Sequence, residues 1–184
     1  MKNKVLVIKD LEKFKSPGTA VTVGKFDGVH IGHRKLLETL LSEKGDLESC
    51  VFTFDIQNES KIMNNENRIC TEEEKEKILG SLGIDKLILF PFNKDTASVT
   101  AEDFVKDILV KRLNCRLLVV GDDFRFGKDR AGDTGLLEKM SKELGFDLIV
   151  IKREEFEGSP VSSSRIREEI RKENFEKVGA MLGK

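Results

Sequence analysis

The chain of 184 residues has no tryptophan, no tyrosine, three prolines, three cysteines and two histidines. All aromatic chemistry therefore falls to 12 phenylalanines, which stack and fill space but carry no hydroxyl or indole N–H. The cysteines, Cys50, Cys70 and Cys115, are odd in number and show no C-x-x-C spacing, which argues against a disulfide framework or a thiolate zinc site. Cys50 and Cys115 border apolar runs and read as buried free thiols. No apolar stretch approaches the ~18 residues that span a bilayer. The run Val5-Leu6-Val7-Ile8 is too short for the core of a signal peptide. Nor is there an excess of one charge: 32 basic residues face 33 acidic ones, for a net charge of -1. A binder that works by bulk positive charge is thereby excluded. Together these absences describe a reduced, soluble, cytoplasmic protein with neither a nucleic-acid nor a membrane partner.

Hydrophobic residues make up 39% of the chain, enough for one substantial core. The charged 35% is mixed in sign and reads as a solvated surface. Length suggests one domain over residues 1–184. Short β-branched or apolar runs at Ala20 to Val23, Cys50 to Phe54, Lys86 to Phe90, Leu117 to Val120 and Phe146 to Ile151 alternate with helical patterns. Leu36, Leu37, Leu40 and Leu41 mark the first helix. Thr71-Glu72-Glu73-Glu74 forms a capping box before Ile78, Leu79 and Leu82. Thr100 and Asp133 cap two further helices, and shorter helical patterns near Ser164 to Arg171 and Phe175 to Leu182 finish the chain. Gln57 to Arg68 and Asn93 to Val99 read as loops. The alternation predicts an α/β fold: a Rossmann-like parallel sheet of about five strands, with helices on both faces. Ligands of such sheets bind beyond the carboxyl ends of the strands.

Three segments carry candidate chemistry. The turn after the first of these strands reads Gly24-Lys25-Phe26-Asp27-Gly28-Val29-His30-Ile31-Gly32-His33 and runs into the Leu-rich helix. Its glycines allow close backbone approach, and the helix start suits a phosphate. His30 and His33, at i and i+3, share one side of the first turn, with Gly32 between them keeping the approach open. A metal pair is an alternative, but no third ligand stands at a familiar spacing. Gly121 to Asp133 follows the fourth of these strands and mixes Asp122, Asp123, Phe124, Arg125, Phe126 and Arg130. Arg can clamp phosphate, Phe can stack on a planar ring, and Asp can hold Mg²⁺ or a polar ring edge. Val161-Ser162-Ser163-Ser164-Arg165-Ile166-Arg167 offers hydroxyls, amides and arginines at a helix start; the plainer reading makes Ser164 an ordinary N-cap.

At these residues the chain resembles the bacterial FAD synthetase (FMN adenylyltransferase) family of the HxGH nucleotidyltransferase superfamily. The match runs in order through G-x-F-D-G-V-H-x-G-H at Gly24 to His33, Phe54-Asp55, G-x-D-F-R-F-G-x-x-R-x-G at Gly121 to Gly132, and V-S-S-S-R-I-R at Val161 to Arg167. The resemblance implies transfer of AMP from ATP to FMN, giving FAD and pyrophosphate with Mg²⁺. It implies that His30, His33 and Arg167 are catalytic and that Gly24, Phe26, Asp27, Gly28 and Gly32 shape the ATP pocket. Ser163, Ser164 and Arg167 would hold the β- and γ-phosphates, and Arg165 is grouped with the ATP-binding residues. Phe54, Asp55, Asp123, Phe124, Arg125 and Arg130 would lie on the flavin side, with Asp123 a candidate for Mg²⁺. The family commonly continues Phe-Asp or Phe-Glu with Pro-His-Pro, where this chain has Ile56-Gln57-Asn58. Most members also carry a riboflavin kinase domain after this module. The sequence reaches Lys184, where that domain would begin, and is read as the adenylyltransferase module alone: either a single-function protein, with a separate riboflavin kinase supplying FMN, or a fragment of a bifunctional enzyme. Two alternatives stay open: the same transfer to another phosphorylated acceptor, and a non-catalytic flavin-nucleotide sensor.

Overall fold

The structure is a computed structural model that describes residues 4–55 and 68–184. Its main sheet contains β1 (Leu6–Ile8), β2 (Thr19–Val23), β3 (Glu48–Asp55), β4 (Lys86–Pro91), β5 (Cys115–Gly121) and β6 (Asp147–Ile151). The order is β1-β4-β3-β2-β5-β6, and every neighbouring pair is parallel. The expected strands all form. The sheet has six strands where the sequence predicts about five, because the three-residue β1 joins the edge of β4. A run that short shows no alternation of its own and exists by pairing with β4.

The helices are α1 (Ile31–Glu43), α2 (Glu72–Leu82), α3 (Lys94–Ala97), α4 (Ala101–Asp103), α5 (Thr134–Leu144), α6 (Ser163–Arg171) and α7 (Phe175–Leu182). Helix α4 continues directly into a π-helical stretch, Phe104–Arg112. The segment predicted as a plain connection, Asn93 to Val99, holds the one-turn helix α3, capped by Asn93. Gln57 to 67, the greater part of the other predicted loop, lies outside the described residues. A small antiparallel ribbon, β7 (Glu155–Phe156) with β8 (Ser159–Pro160), precedes α6.

Strand alternation sorts side chains to two faces. Ala20, Val51, Leu87, Leu117 and Val119 point to the face covered by Leu37 and Leu40 of α1 and Leu79 of α2. Val21, Phe52, Ile88, Leu118 and Val120 point to the other, against Phe104, Val105 and Leu109 of the π-helical stretch and Leu137 and Met140 of α5. Both faces are thus dry, which suits the continuous apolar runs of parallel strands. From β2 the chain steps outward to β3 and β4, then returns across the opposite face to place β5 on the free side of β2. Such crossovers keep one hand, so reversing direction moves the helices to the other face. The reversal makes the carboxyl end of β2 the topological switch point, where open α/β sheets bind ligands. Helices α6 and α7 add a small third cluster, in which Ile166, Met181 and Leu182 pack with Ile31 and Ile69. Among the described residues no helix is long and apolar enough to cross a membrane.

The capping box read from sequence forms as expected. Thr71 Oγ1 accepts from Glu74 N at 3.1 Å, and Glu74 Oε2 accepts from Thr71 N at 2.8 Å. Thr71→Ala removes one half of that exchange and is expected to lower the unfolding free energy by about 1 kcal/mol. Urea denaturation checks this, and an unchanged midpoint would show that α2 does not depend on its cap.

Candidate active site

The turn leaving β2 is strained and buried at once. Phe26, Gly28 and Val29 have φ of 51°, 81° and 43°. Left-handed backbone is uncommon for Phe and an outlier for β-branched Val. Such residues persist only where their surroundings over-determine them. Here the Phe26 and Val29 side chains are fully buried beneath α1 and α2. Gly28 is required for two reasons: its φ, and the Ile69 Cγ2 atom only 2.6 Å from where a Cβ would stand. The turn delivers His30 as the N-cap of α1, with Nδ1 accepting from His33 N at 3.4 Å. The His30 and His33 rings stack at 3.7 Å between centroids, and Phe26 lies tilted against His33 at 4.7 Å. Gly32 permits the fold-back, because a Cβ there would meet His30 Cε1 at 3.2 Å.

Asp27 ties this turn to two distant segments. Its Oδ1 accepts from Ile69 N at 3.0 Å and from Cys70 N at 3.3 Å. Its Oδ2 pairs with Arg167 of α6 at 2.7 Å. Its backbone carbonyl accepts from Ser163 Oγ at 3.1 Å, and Gly28 N donates to Cys70 Sγ at 3.1 Å. The amino end of α6 is thus drawn to the histidine turn. Ser162 is the N-cap of α6, accepting from Arg165 N, so Ser164 is not the cap; it sits exposed in the first turn. Arg165 turns the other way. It donates to the Phe156 and Ser159 carbonyls at 2.9 and 2.7 Å and braces the β7–β8 ribbon.

The electrostatics favour uncharged imidazoles. Burial lowers His30 to about 4 from the ordinary 6.5, with the Asp27 carboxylate opposing. Burial first, then His30 and the Lys75 ammonium, hold His33 well below the ordinary imidazole range. A neutral His30 whose Nδ1 lone pair faces an N–H must carry its proton on Nε2. No sequence motif marks Lys75, a buried cation on α2 whose Nζ donates to both Glu72 oxygens at 3.1 and 3.2 Å, or Cys70. Each looks like an ordinary position in or before a capped helix, and only the long-range fold brings it beside the turn.

The residues assigned to the flavin side lie along the same carboxyl edge of the sheet. Phe54 is half-buried and edge-on to Phe52, Phe90 and Phe92 at 5.6, 6.1 and 5.8 Å. Asp55 is the last residue of β3, in register with Pro91. Ile56-Gln57-Asn58 lies outside the described residues. Phe124 stacks on the buried Phe126 at 5.3 Å. Asp123 faces Arg153 at 3.5 Å, and Arg125 donates to the Phe124 carbonyl at 3.1 Å. Arg130 is exposed, with φ of 58°. Among the described residues no hydrogen bond or ion pair joins Asp123, Arg125 or Arg130 to the histidine pair, and no group of three or more His, Cys, Asp or Glu could hold a metal ion.

Comparison with known proteins bears on this arrangement. The family model for FAD synthetase matches residues 12–165. The bifunctional riboflavin kinase/FMN adenylyltransferase of Escherichia coli K12 is 36% identical over 180 residues. That of Buchnera aphidicola from Schizaphis graminum is 34% identical over 183. Each alignment covers 96% of this chain and 58% of the relative, so the chain spans a little over half the length of these curated relatives. A Streptococcus pneumoniae structure described as a macrolide-efflux protein superposes with a TM-score of 0.80 at 28% identity, covering 97% of this chain and 60% of that one. A pantoate-beta-alanine ligase from Francisella tularensis shares the fold, with a TM-score of 0.56 at 15% identity, covering 97% of this chain and 85% of that one. Matched through both its glycine–histidine turn and the loop after β5, the chain belongs to the FAD synthetase family.

Proposed function

We propose that residues 1–184 form one FMN adenylyltransferase module, acting in the cytoplasm on small nucleotides. FMN plus ATP would give FAD plus pyrophosphate. The observation that carries this reading is the 2.7 Å Asp27–Arg167 pair, which draws a cation from 140 residues away to the turn bearing both histidines. A phosphate oxygen of FMN attacks the α-phosphorus of ATP. A new P–O bond forms there, the bond from the α-phosphorus to the β-phosphate bridging oxygen breaks, and pyrophosphate leaves with that electron pair. The attacking oxygen is already ionised at pH 7, so no general base is needed. The task is positioning and charge neutralisation.

Each group suits such a task. Nε2–H of a neutral His30 can donate to a phosphate oxygen while staying uncharged in a buried site. Arg167 and the free amides at Ser163 and Ser164 would hold the β- and γ-phosphates. Phe54 and Phe124 offer apolar faces to the flavin ring, with Asp55, Asp123, Arg125 and Arg130 near its polar edges. Asp123 is engaged by Arg153. Asp123 is the candidate to hold Mg²⁺, which would supply further charge neutralisation at the phosphates of ATP. A riboflavin kinase activity, named with the adenylyltransferase in the relatives, would supply FMN.

Pyrophosphate release in the presence of ATP, Mg²⁺ and FMN tests the reaction, with products separated by chromatography. FAD should form, and formation of another dinucleotide or of none would reject the reading. His30→Ala and His33→Ala should each slow release by about 10²–10³, the loss typical of a transition-state donor. A variant within about twofold of the unaltered enzyme would contradict the role.

Acid should also weaken the fold through His30. Its folded value is about 4 against 6.5 when unfolded. Between those values the unfolded chain binds the proton and the folded chain does not, so stability falls as pH drops. The stability that the neutral ring contributes is fully present above pH ~6.5, and the loss amounts to about 3 kcal/mol once pH reaches 4. Urea midpoints from pH 7 to 4.5 should decline less steeply in His30→Asn, and parallel curves would refute the burial of a neutral imidazole.

A further inference from the structure

Two buried side-chain atoms among the described residues have no hydrogen-bond partner: Thr22 Oγ1 and His33 Nδ1. A buried polar group without a partner is costly, and two in one molecule call for a common explanation. They lie on the same face of the sheet. Thr22 is in register with Val51 and Val119, both of which point to the α1 side. Two residues earlier on the same strand, Ala20 packs in the cluster that contains Leu37 and Leu40 of α1. Helix α1 follows β2 directly and runs back along it, so its first turn overlies the carboxyl end of the strand. His33, one turn before Leu37, therefore belongs to the part of α1 that covers the carboxyl end of β2, where Thr22 lies. The Thr22 side chain is completely shut off from solvent.

We propose that Thr22 is a positioning residue for adenylyl transfer, fixing the tautomer and orientation of His33 through one bridging water that joins Thr22 Oγ1 to His33 Nδ1 and donates to that nitrogen, since neither atom has a direct partner. This deepens the functional reading above and rests on it. A lone pair at Nδ1 places the ring's single proton on Nε2. His33 then presents the same donor atom that the His33 N–H imposes on His30. The other groups facing His33 do not compete for Nδ1 as acceptors: His30 stacks on the ring, Phe26 is tilted against it, and Lys75 on α2 is a cation bound to Glu72. That cation, together with burial, keeps the ring neutral, so the tautomer is the one variable left to set. Because the chain has only two histidines, each ring can be followed separately.

The experiment uses the ¹⁵N shifts of the two imidazoles in the unaltered chain, Thr22→Val and Thr22→Ser, with steady-state kinetics alongside. The unaltered chain and Thr22→Ser should show His33 protonated on Nε2. Thr22→Val should move its two nitrogens toward averaged shifts and leave those of His30 in place. In Thr22→Val, kcat should fall about tenfold, the value of one ordinary hydrogen bond, with KM for ATP within about twofold. Unchanged His33 shifts in Thr22→Val would overturn the proposal, as would a gain in thermal stability without a change in kcat. The shifts are read without substrate. Failure of adenylyl transfer altogether therefore rejects the functional reading, whereas unchanged shifts in an active enzyme reject the role of Thr22.

Discussion

One carboxylate holds the site together. Asp27 sits in a turn whose backbone is unfavourable at Phe26 and Val29, and it ties that turn to the residues entering α2 and to the first turn of α6. Each partner satisfies a different need. The amides of Ile69 and Cys70 neutralise one oxygen, and the Arg167 guanidinium takes the other. Both side chains of the Asp27–Arg167 pair are largely covered, at 15% and 28% exposure, so the pair is less screened than a surface ion pair. Removing either partner from such a pair leaves a poorly solvated charge behind. The clasp therefore fixes where α6 stands relative to α1.

The proposed chemistry rests on that constraint. With α6 held against the turn, two neutral imidazoles, an arginine and the amides of a helix start converge at the switch point of the sheet. The imidazoles stay uncharged because they are buried and stacked, with Lys75 close by. A neutral donor can strengthen its hydrogen bond as charge builds on a phosphate, without the desolvation cost of bringing an ion into the site. In the proposed reaction the permanent positive charge would come instead from Arg167, whose fork matches phosphate geometry.

Much of this was readable from sequence, for identifiable reasons. The strands at Val21, Phe52, Ile88 and Leu118 are buried on both faces, and runs of that kind stand out in the sequence. Thr71, Thr100 and Asp133 act as caps because capping is a local rule. The histidine turn was legible because glycine, histidine and helix start fall within ten residues. Long-range partnership was not. No spacing rule couples Asp27 to Arg167, and Lys75 reads as one more charge in an amphipathic helix. The edge strand β1 escaped because three residues take strand form only beside β4. The π-helical turns after α4 preserve the apolar pattern at Phe104, Val105, Ile108 and Leu109 that an α-helix would show, so the pattern alone does not distinguish them.

The most direct test of the clasp is a double-mutant cycle of Asp27→Asn and Arg167→Gln, read as the rate of pyrophosphate release with ATP and FMN. If Asp27 acts by holding Arg167 and α6 against the histidine turn, the second substitution adds little to the first, and the coupling should reach about 1–3 kcal/mol. Effects that add to within about 0.5 kcal/mol would mean that the two residues work independently, and the account of the site would fail.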